Sequence, residues 1–221
     1  MHKVSEMLRD HYAQAFRTYG ATSEGVDWGK DQDRAVFRYQ KMLAVIPATE
    51  KRRVSLLDVG CGYGALLQYA KENHITLAYT GIDVVPDMIC EASARHKDAN
   101  FLTGDILDLD IKARFDYVVC NGILTQKLDA SNLEMDDFAS RLIRRMFALC
   151  ERGVAFNVMT TKVNYFSANL YYRNPAELFA WCMSELTRHI KIDHACPLYE
   201  YTLYLYRQPV DLRKPLGMLE A

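Results

Sequence analysis

The sequence predicts an α/β fold: a doubly wound, mostly parallel sheet with an antiparallel strand near the C-terminus and a helical extension at the N-terminus. Three observations predict it. From Val54 onward, short apolar β-rich runs alternate with amphipathic helical runs, and βαβα order builds a parallel sheet covered by helices on both faces. The first of these runs breaks into closely spaced glycines, Gly60, Gly62 and Gly64, before a helical pattern begins. Near the end, β-rich runs at residues 188–193 and 199–207 are separated only by the turn-like His194-Ala195-Cys196-Pro197. So short a connection makes the two strands antiparallel neighbours.

In order along the chain, Tyr12, Phe16 and Tyr19 share a helical face in the N-terminal segment, and Gly25-Val26-Asp27-Trp28-Gly29 reads as a turn. Residues 54–59 are the first strand and 63–73 the helix after it. Residues 77–83 are the next strand, and Pro86 opens a helix reaching about residue 96, as a first-turn proline does. Residues 100–103 and 115–120 are further strands. Over residues 134–150, Phe138, Leu142, Met146 and Leu149 recur at helical spacing, and Gly153 is expected to end that helix before a strand at 154–158. A helix over 175–185 precedes the final strand pair, where Tyr199, Tyr201, Tyr204 and Tyr206 read mostly as sheet core. One domain is expected, with its core at residues 51–207, a helical lid or extension of the same domain at 1–50, and a tail at 208–221.

Half of the 221 residues are hydrophobic, enough for a sizeable core. The formal net charge of -1 leaves no footprint for nucleic acid or an anionic membrane, because phosphate binding needs a concentrated basic face. Lys51-Arg52-Arg53 reads as a solvated approach to the first strand. The cysteines are scattered with no C-x-x-C pair, so no disulfide framework and no metal site are expected. The first twenty residues carry charges throughout, and no run of ~18 apolar residues occurs. Neither a signal peptide nor a membrane span is therefore expected, and a cytoplasmic location is the default.

The glycine run carries the chemistry. In Leu56-Leu57-Asp58-Val59-Gly60-Cys61-Gly62-Tyr63-Gly64, an apolar strand gives way to bare backbone that a ligand can approach closely. Asp83 ends the next strand, where a carboxylate can grip a ribose diol. The ligand is thus a nucleoside. A dinucleotide fingerprint needs G-x-G-x-x-G to seat a pyrophosphate on the helix N-terminus, whereas these glycines are spaced G-x-G-x-G. Asp58 would repel a pyrophosphate but suits an ammonium, held directly or through water.

These residues resemble the class I S-adenosylmethionine-dependent methyltransferases. Leu57 to Gly64 is similar to their first motif, Gly81-Ile82-Asp83 to the second, Gly104-Asp105-Ile106 to the third and Phe115-Asp116-Tyr117-Val118-Val119-Cys120-Asn121 to the fourth. The resemblance implies a seven-stranded sheet with one reversed strand near its edge, and S-adenosylmethionine as cofactor. It implies that Gly60, Gly62 and Gly64 pass under the methionine part, with Asp58 near its ammonium and Asp83 on the ribose. Asp105 would take the adenine amino group while Met88 and Ile106 press on the ring; alone, Asp105 also reads as a turn residue.

On the acceptor side, Asn121-Gly122-Ile123-Leu124-Thr125 is neither the D/N-P-P-Y/F loop of base methylation nor a Pro-Cys nucleophile. Asn121 reads either as a cofactor or catalytic contact or as a simple turn former. Tyr12, Tyr19 and Trp28 belong either to a lid over cofactor and acceptor or to ordinary packing. Tyr165, Phe166, Tyr171 and Tyr172 follow the fifth strand and either clasp the acceptor or pack on one another. His194 could serve as a base and substrate contact, as could Lys127 or, less readily, His11.

The expected function is methyl transfer to nitrogen or oxygen of a small-molecule acceptor by a monomer or homodimer. The alternatives are transfer to a protein or RNA group, a nicotinamide-dependent oxidoreductase, and a non-catalytic cofactor-binding or assembly subunit.

Overall fold

Strand after strand runs through the middle of this chain in the same direction, because β1, β2 and β4 are each followed by a helix that returns over one face of the sheet, while an irregular crossing over residues 104–114 links β3 to β4. The structure, a computed structural model, describes residues 2–195 and 197–210. The helices are α1 Lys3–Tyr19, α2 Gln32–Leu43, α3 Ala65–Glu72, α4 Pro86–Arg95, α5 Asn132–Leu149 and α6 Pro175–Glu185. The strands are β1 Val54–Val59, β2 Leu77–Asp83, β3 Asn100–Thr103, β4 Phe115–Cys120, β5 Cys150–Thr160, β6 Tyr172–Arg173, β7 His189–Asp193 and β8 Glu200–Tyr206.

The sheet order is β3-β2-β1-β4-β5-β8-β7, and β8 is antiparallel to both of its neighbours. The expected seven-strand path with one reversed strand is present. Beside it, β6 adds a two-residue parallel pairing with the end of β5. Cys196, in the connection before β8, and residues 211–221 of the expected tail lie outside the described residues.

Alternation along β1 sorts the core onto two faces. Leu57 and Val59 point to the side covered by Val4 and Leu8 of α1, by α5 through Phe138, Leu142 and Met146, and by Leu178 and Cys182 of α6. Val54 and Leu56 point to the other side, against Ala35, Tyr39, Met42 and Leu43 of α2 and Leu66, Leu67 and Ala70 of α3. Helices α1 and α2 thus lie on opposite faces, and residues 20–31 must cross the end of the sheet between them. A short 3-10 turn at Glu24–Val26 and a left-handed Asp27 (φ 57°) bend the chain there.

Of the boundaries that differ from those expected, the two ends of α5 have a clear local cause. Helix α5 begins at Asn132 because Ser131 caps it, its Oγ accepting from the Glu134 amide at 3.2 Å while Glu134 Oε2 accepts from the Ser131 amide at 2.8 Å. Such a reciprocal box satisfies two orphan amides and fixes the start. At the other end the chain passes straight into β5 at Cys150, and Gly153 lies inside that strand. A Cβ at Gly153 would sit 2.9 Å from the Tyr206 ring, so the glycine permits the β5–β8 approach instead of ending a helix. Among the described residues no helix is long and apolar enough to cross a membrane.

The packing of α2 makes it part of the core. Met42→Ala is expected to lower unfolding free energy by about 2–5 kcal/mol in urea denaturation, as for a fully buried side chain. A loss under about 0.5 kcal/mol, typical of surface positions, would show that α2 only rests on the surface.

Candidate active site

The carboxyl ends of β1, β2 and β4 converge on a cleft lined mostly by apolar side chains with a few polar groups among them, the make-up of a small-molecule site. Its floor is the turn after β1. Gly60, Gly62 and Gly64 all have positive φ (75°, 54° and 83°), a conformation that costs other residues strain. The Gly60 and Cys61 amides donate to the Ile82 carbonyl at 2.8 and 3.1 Å, tying the turn to β2. A Cβ on Gly62 would stand 3.4 Å from Val26 and 3.8 Å from the Met88 sulfur, inside the cleft.

Asp83 closes this turn electrostatically. Its Oδ2 accepts from the Gly62 amide and its Oδ1 from the Val85 amide, each at 2.9 Å. Burial pushes its carboxyl above the usual range, against those two hydrogen bonds. Asp58 is 2 % exposed and its Oδ2 accepts from the Tyr79 hydroxyl at 2.5 Å. Burial pushes its carboxyl up to about 7, the Tyr79 hydrogen bond opposes the rise, and the Asp83 charge adds to it.

Asp105 follows β3, and its Oδ1 accepts from the Leu107 amide at 2.9 Å in a tight turn. Its Oδ2 is buried without a partner, and so are both Nδ2 and Oδ1 of Asn121 at the end of β4. Buried polar atoms are rarely left unpaired, and both residues line the cleft together with Met88 and Ile106. The turn role and the ligand role of Asp105 are therefore compatible, since each uses a different oxygen. These acceptors would suit S-adenosylmethionine: Asp58 could take its ammonium, Asp83 its ribose hydroxyls and Asp105 Oδ2 its adenine amino group, over a glycine turn that no side chain fills.

The crossing segment roofs the cleft. Tyr12, Val26 and Trp28 line it, while Tyr19, 53 % exposed at the end of α1, lies outside the lining. Burial pushes the Tyr12 hydroxyl pKa up, with the Asp27 and Asp83 charges adding. Asp27 ties the roof down: its Oδ2 lies 3.0 Å from His11 Nε2 and accepts from Gln126 Nε2 at 2.8 Å. Gln126 Oε1 in turn accepts from Asn169 Nδ2 at 3.2 Å, on the loop after β5. Asp27 and Gln126 were not singled out from sequence, where a polar pair 99 positions apart leaves no pattern.

The loop after β5 sits elsewhere than expected. Tyr171 is buried in the core, its hydroxyl donating to Asp136 at 2.5 Å. Tyr172 packs edge-on against Phe166 and accepts from the Ser167 amide at 3.0 Å, and Tyr165 is exposed. None of these tyrosines lines the cleft; Phe166 and Tyr172 pack on one another, whereas Tyr171 belongs to the core and Tyr165 faces solvent. His194 is likewise exposed and outside the lining, its ring edge-on to Tyr201. No Lys, Arg or His lines the cleft among the described residues, whereas Asp58, Asp83 and Asp105 all do.

The raised Asp58 carboxyl gives a signed pH prediction. In the free chain its contribution to stability is complete below its unfolded value of ~3.9 and is lost as pH rises through about 7. A ligand ammonium favours the ionised form, so binding below pH 7 must expel a proton. Affinity for S-adenosylhomocysteine is expected to weaken by up to about tenfold per pH unit below about 7 and to level off above it. Calorimetry in buffers of different ionisation enthalpy reads the released proton, and Asp58→Asn should abolish it. Wild-type affinity independent of pH would contradict the assignment.

Comparison with known proteins bears on this site. The family described as "Methyltransferase domain" matches residues 56–151, which run from β1 into β5. A Mycobacterium tuberculosis protein named as a methyltransferase is 32% identical over 154 residues, 67% of this chain and 90% of that one. The malonyl-[acyl-carrier protein] O-methyltransferase of Acetivibrio thermocellus is 27% identical over 118 residues, 52% of this chain but 38% of its own length. Among solved structures, a complex of DhpI with S-adenosylhomocysteine shares the fold with a TM-score of 0.62 at 19% identity, covering 93% of this chain and 98% of that one. The sequence likeness and the shared fold agree with the cleft and its carboxylates, and the chain belongs to the class I S-adenosylmethionine-dependent methyltransferases.

Proposed function

We propose that the chain methylates a nitrogen or oxygen atom of a small-molecule acceptor held under the crossing segment, beside the cofactor. One observation carries this reading. The Asn121 amide, buried with neither of its polar atoms partnered, faces a cleft roofed by Tyr12, Val26 and Trp28. A primary amide offers both a donor and an acceptor, which suits an acceptor hydroxyl or amine.

S-adenosylmethionine supplies an activated methyl group. The protein supplies position and dryness. Asp58, Asp83 and Asp105 hold three separate parts of the cofactor, and the roof, latched through Asp27 and Gln126, excludes water and confines the acceptor. In-line displacement at a sulfonium methyl asks for little more, because orientation alone contributes ~7–11 kcal/mol. Among the described residues no lysine or histidine lines the cleft, and its three carboxylates are assigned to the cofactor, so no base stands beside the acceptor, which reacts in its unprotonated form. The same absence disfavours RNA, whose phosphates require basic contacts, and the roof disfavours a bulky protein side.

Two measurements test this. Asp83→Ala should weaken S-adenosylhomocysteine binding at least tenfold, about 1.4 kcal/mol, through loss of a charged acceptor. Gly62→Val should nearly abolish binding, since its side chain would occupy the cradle at a positive φ; unchanged calorimetric affinity in either variant would remove that residue from the site. Screening metabolites for enzyme-dependent release of S-adenosylhomocysteine tests the acceptor class. Release with amines or hydroxyl compounds supports it, and release only with protein or RNA would overturn it.

A further inference from the structure

We propose that Arg38, Glu200 and Asn157 form a buried clamp that fixes the acceptor side of the cleft, acting as positioning residues through Gly122 and Trp28. The inference rests on methyl transfer taking place in this cleft. Arg38 comes from α2, Glu200 opens β8, and Asn157 lies in β5. Arg38 Nε donates to Glu200 Oε1 at 3.0 Å and Oε2 at 3.2 Å, and its Nη2 donates to Oε1 as well. Asn157 Nδ2 donates to Glu200 Oε2 at 2.6 Å. On its other side, Asn157 Oδ1 accepts from the Gly122 amide at 2.8 Å.

The chain of contacts then returns to its start. Gly122 has φ 92°, and a Cβ on it would lie 3.1 Å from Trp28 Nε1. The Arg38 guanidinium stands 5.0 Å from the centre of the Trp28 ring. Arg38, Glu200, Asn157, Gly122 and Trp28 thus close a ring drawn from the crossing segment, α2, the turn after β4, β5 and β8. Gly122 is seized from both sides, by a hydrogen bond to its amide and by an indole against its Cα. It directly follows Asn121, whose unpartnered amide looks into the cleft.

The chemistry argues for a positioning role. Burying an ion pair is costly, and apolar residues of like volume would pack at least as stably. What the pair provides is direction. A glutamate held by a guanidinium fork can accept only along fixed lines, which orients the Asn157 amide so that its oxygen faces Gly122. The only amide orientation that satisfies both neighbours puts Nδ2 on the carboxylate and Oδ1 on the Gly122 amide.

A swap of charge tests the clamp. Asn157→Asp alone sets a second carboxylate against Glu200, and Glu200→Gln alone removes the charge that Arg38 and Asn157 share. In the double variant Asn157→Asp/Glu200→Gln, the introduced carboxylate accepts from the Gly122 amide and from the introduced amide, whose carbonyl accepts from Arg38. We expect each single variant to bind S-adenosylhomocysteine within about twofold of wild type. Gly122 amide hydrogen exchange should speed up in both. Turnover with an acceptor from the metabolite screen should fall by up to about 100-fold, the effect of an ångström-scale misplacement, and the double variant should recover most of it.

Additive losses in the double variant, or cofactor affinity falling in step with turnover, would reduce the cluster to a structural one and overturn the proposal. Unchanged Gly122 exchange in Glu200→Gln, the variant closest in shape to wild type, would overturn it without any acceptor and even if Asn157→Asp failed to fold. A wild-type chain that bound no S-adenosylhomocysteine would defeat the methyl-transfer reading instead, while Gly122 exchange would still report on the clamp.

Discussion

Burial of carboxylates at the ends of neighbouring strands is the constraint on which the rest of this structure depends. Asp58 and Asp83 close β1 and β2, which pair side by side, and both are cut off from water. Removing two acids from water raises both of their pKa values, and their proximity adds to the effect for Asp58. Asp83 is steadied by the Gly62 and Val85 amides, and to present the first of these the turn after β1 must run through left-handed backbone. The glycines are therefore needed twice, once to aim an amide at Asp83 and once to leave room above it. A cation and a pair of hydroxyls arriving together would relieve what the free chain carries as strain in its electrostatics.

The second dependence is the way the N-terminal segment straddles the sheet. With α1 anchored on one face and α2 on the other, the connection has no route except over the strand ends, so the roof is a consequence of core packing. Polar ties then set its height: Asp27 to Gln126 on one side, and Arg38 to Glu200 on the other. An enzyme that relies on position needs such fixed walls, since a displacement at a sulfonium methyl gains mostly from alignment and exclusion of water. Trp28 shows how lining and packing can coincide, because the indole that lines the cleft also packs against Tyr39 and under the Arg38 guanidinium.

What was legible in the sequence was local. Strands β1, β2, β3 and β4 have the expected bounds, as has α6, because apolar runs ended by Gly, Pro or Asp leave little freedom. The glycine spacing and the acids at strand ends pointed to the cleft for the same reason, as each of these residues is tied to one position on one strand and all but Gly64 line it. The acceptor side was not legible. Aromatic residues after β5 could face inward or pack on one another, and composition cannot tell which; Tyr171 went to the core and Tyr165 to solvent. Tyr19 shares a helical face with Tyr12, yet it stands at the last turn of α1, past the edge of the cleft. His194 was singled out as a histidine on the connection between the last two strands, but β7 is the edge strand away from β1, β2 and β4, and nothing in the sequence orders the strands. Arg38 and Glu200, 162 positions apart, belong to no motif, and only the closed sheet brings them together.

The most direct measurement is a crystal structure of the full chain with S-adenosylhomocysteine. The ribose hydroxyls should lie on Asp83 without loss of its bonds to the Gly62 and Val85 amides, the adenine amino group on Asp105 Oδ2, and the ligand ammonium on the Asp58 side of the glycine turn. Open space should remain beneath Trp28 and Tyr12, next to Asn121. A ligand seated with its adenine under Trp28, or with Asp105 Oδ2 still unpartnered, would contradict this arrangement.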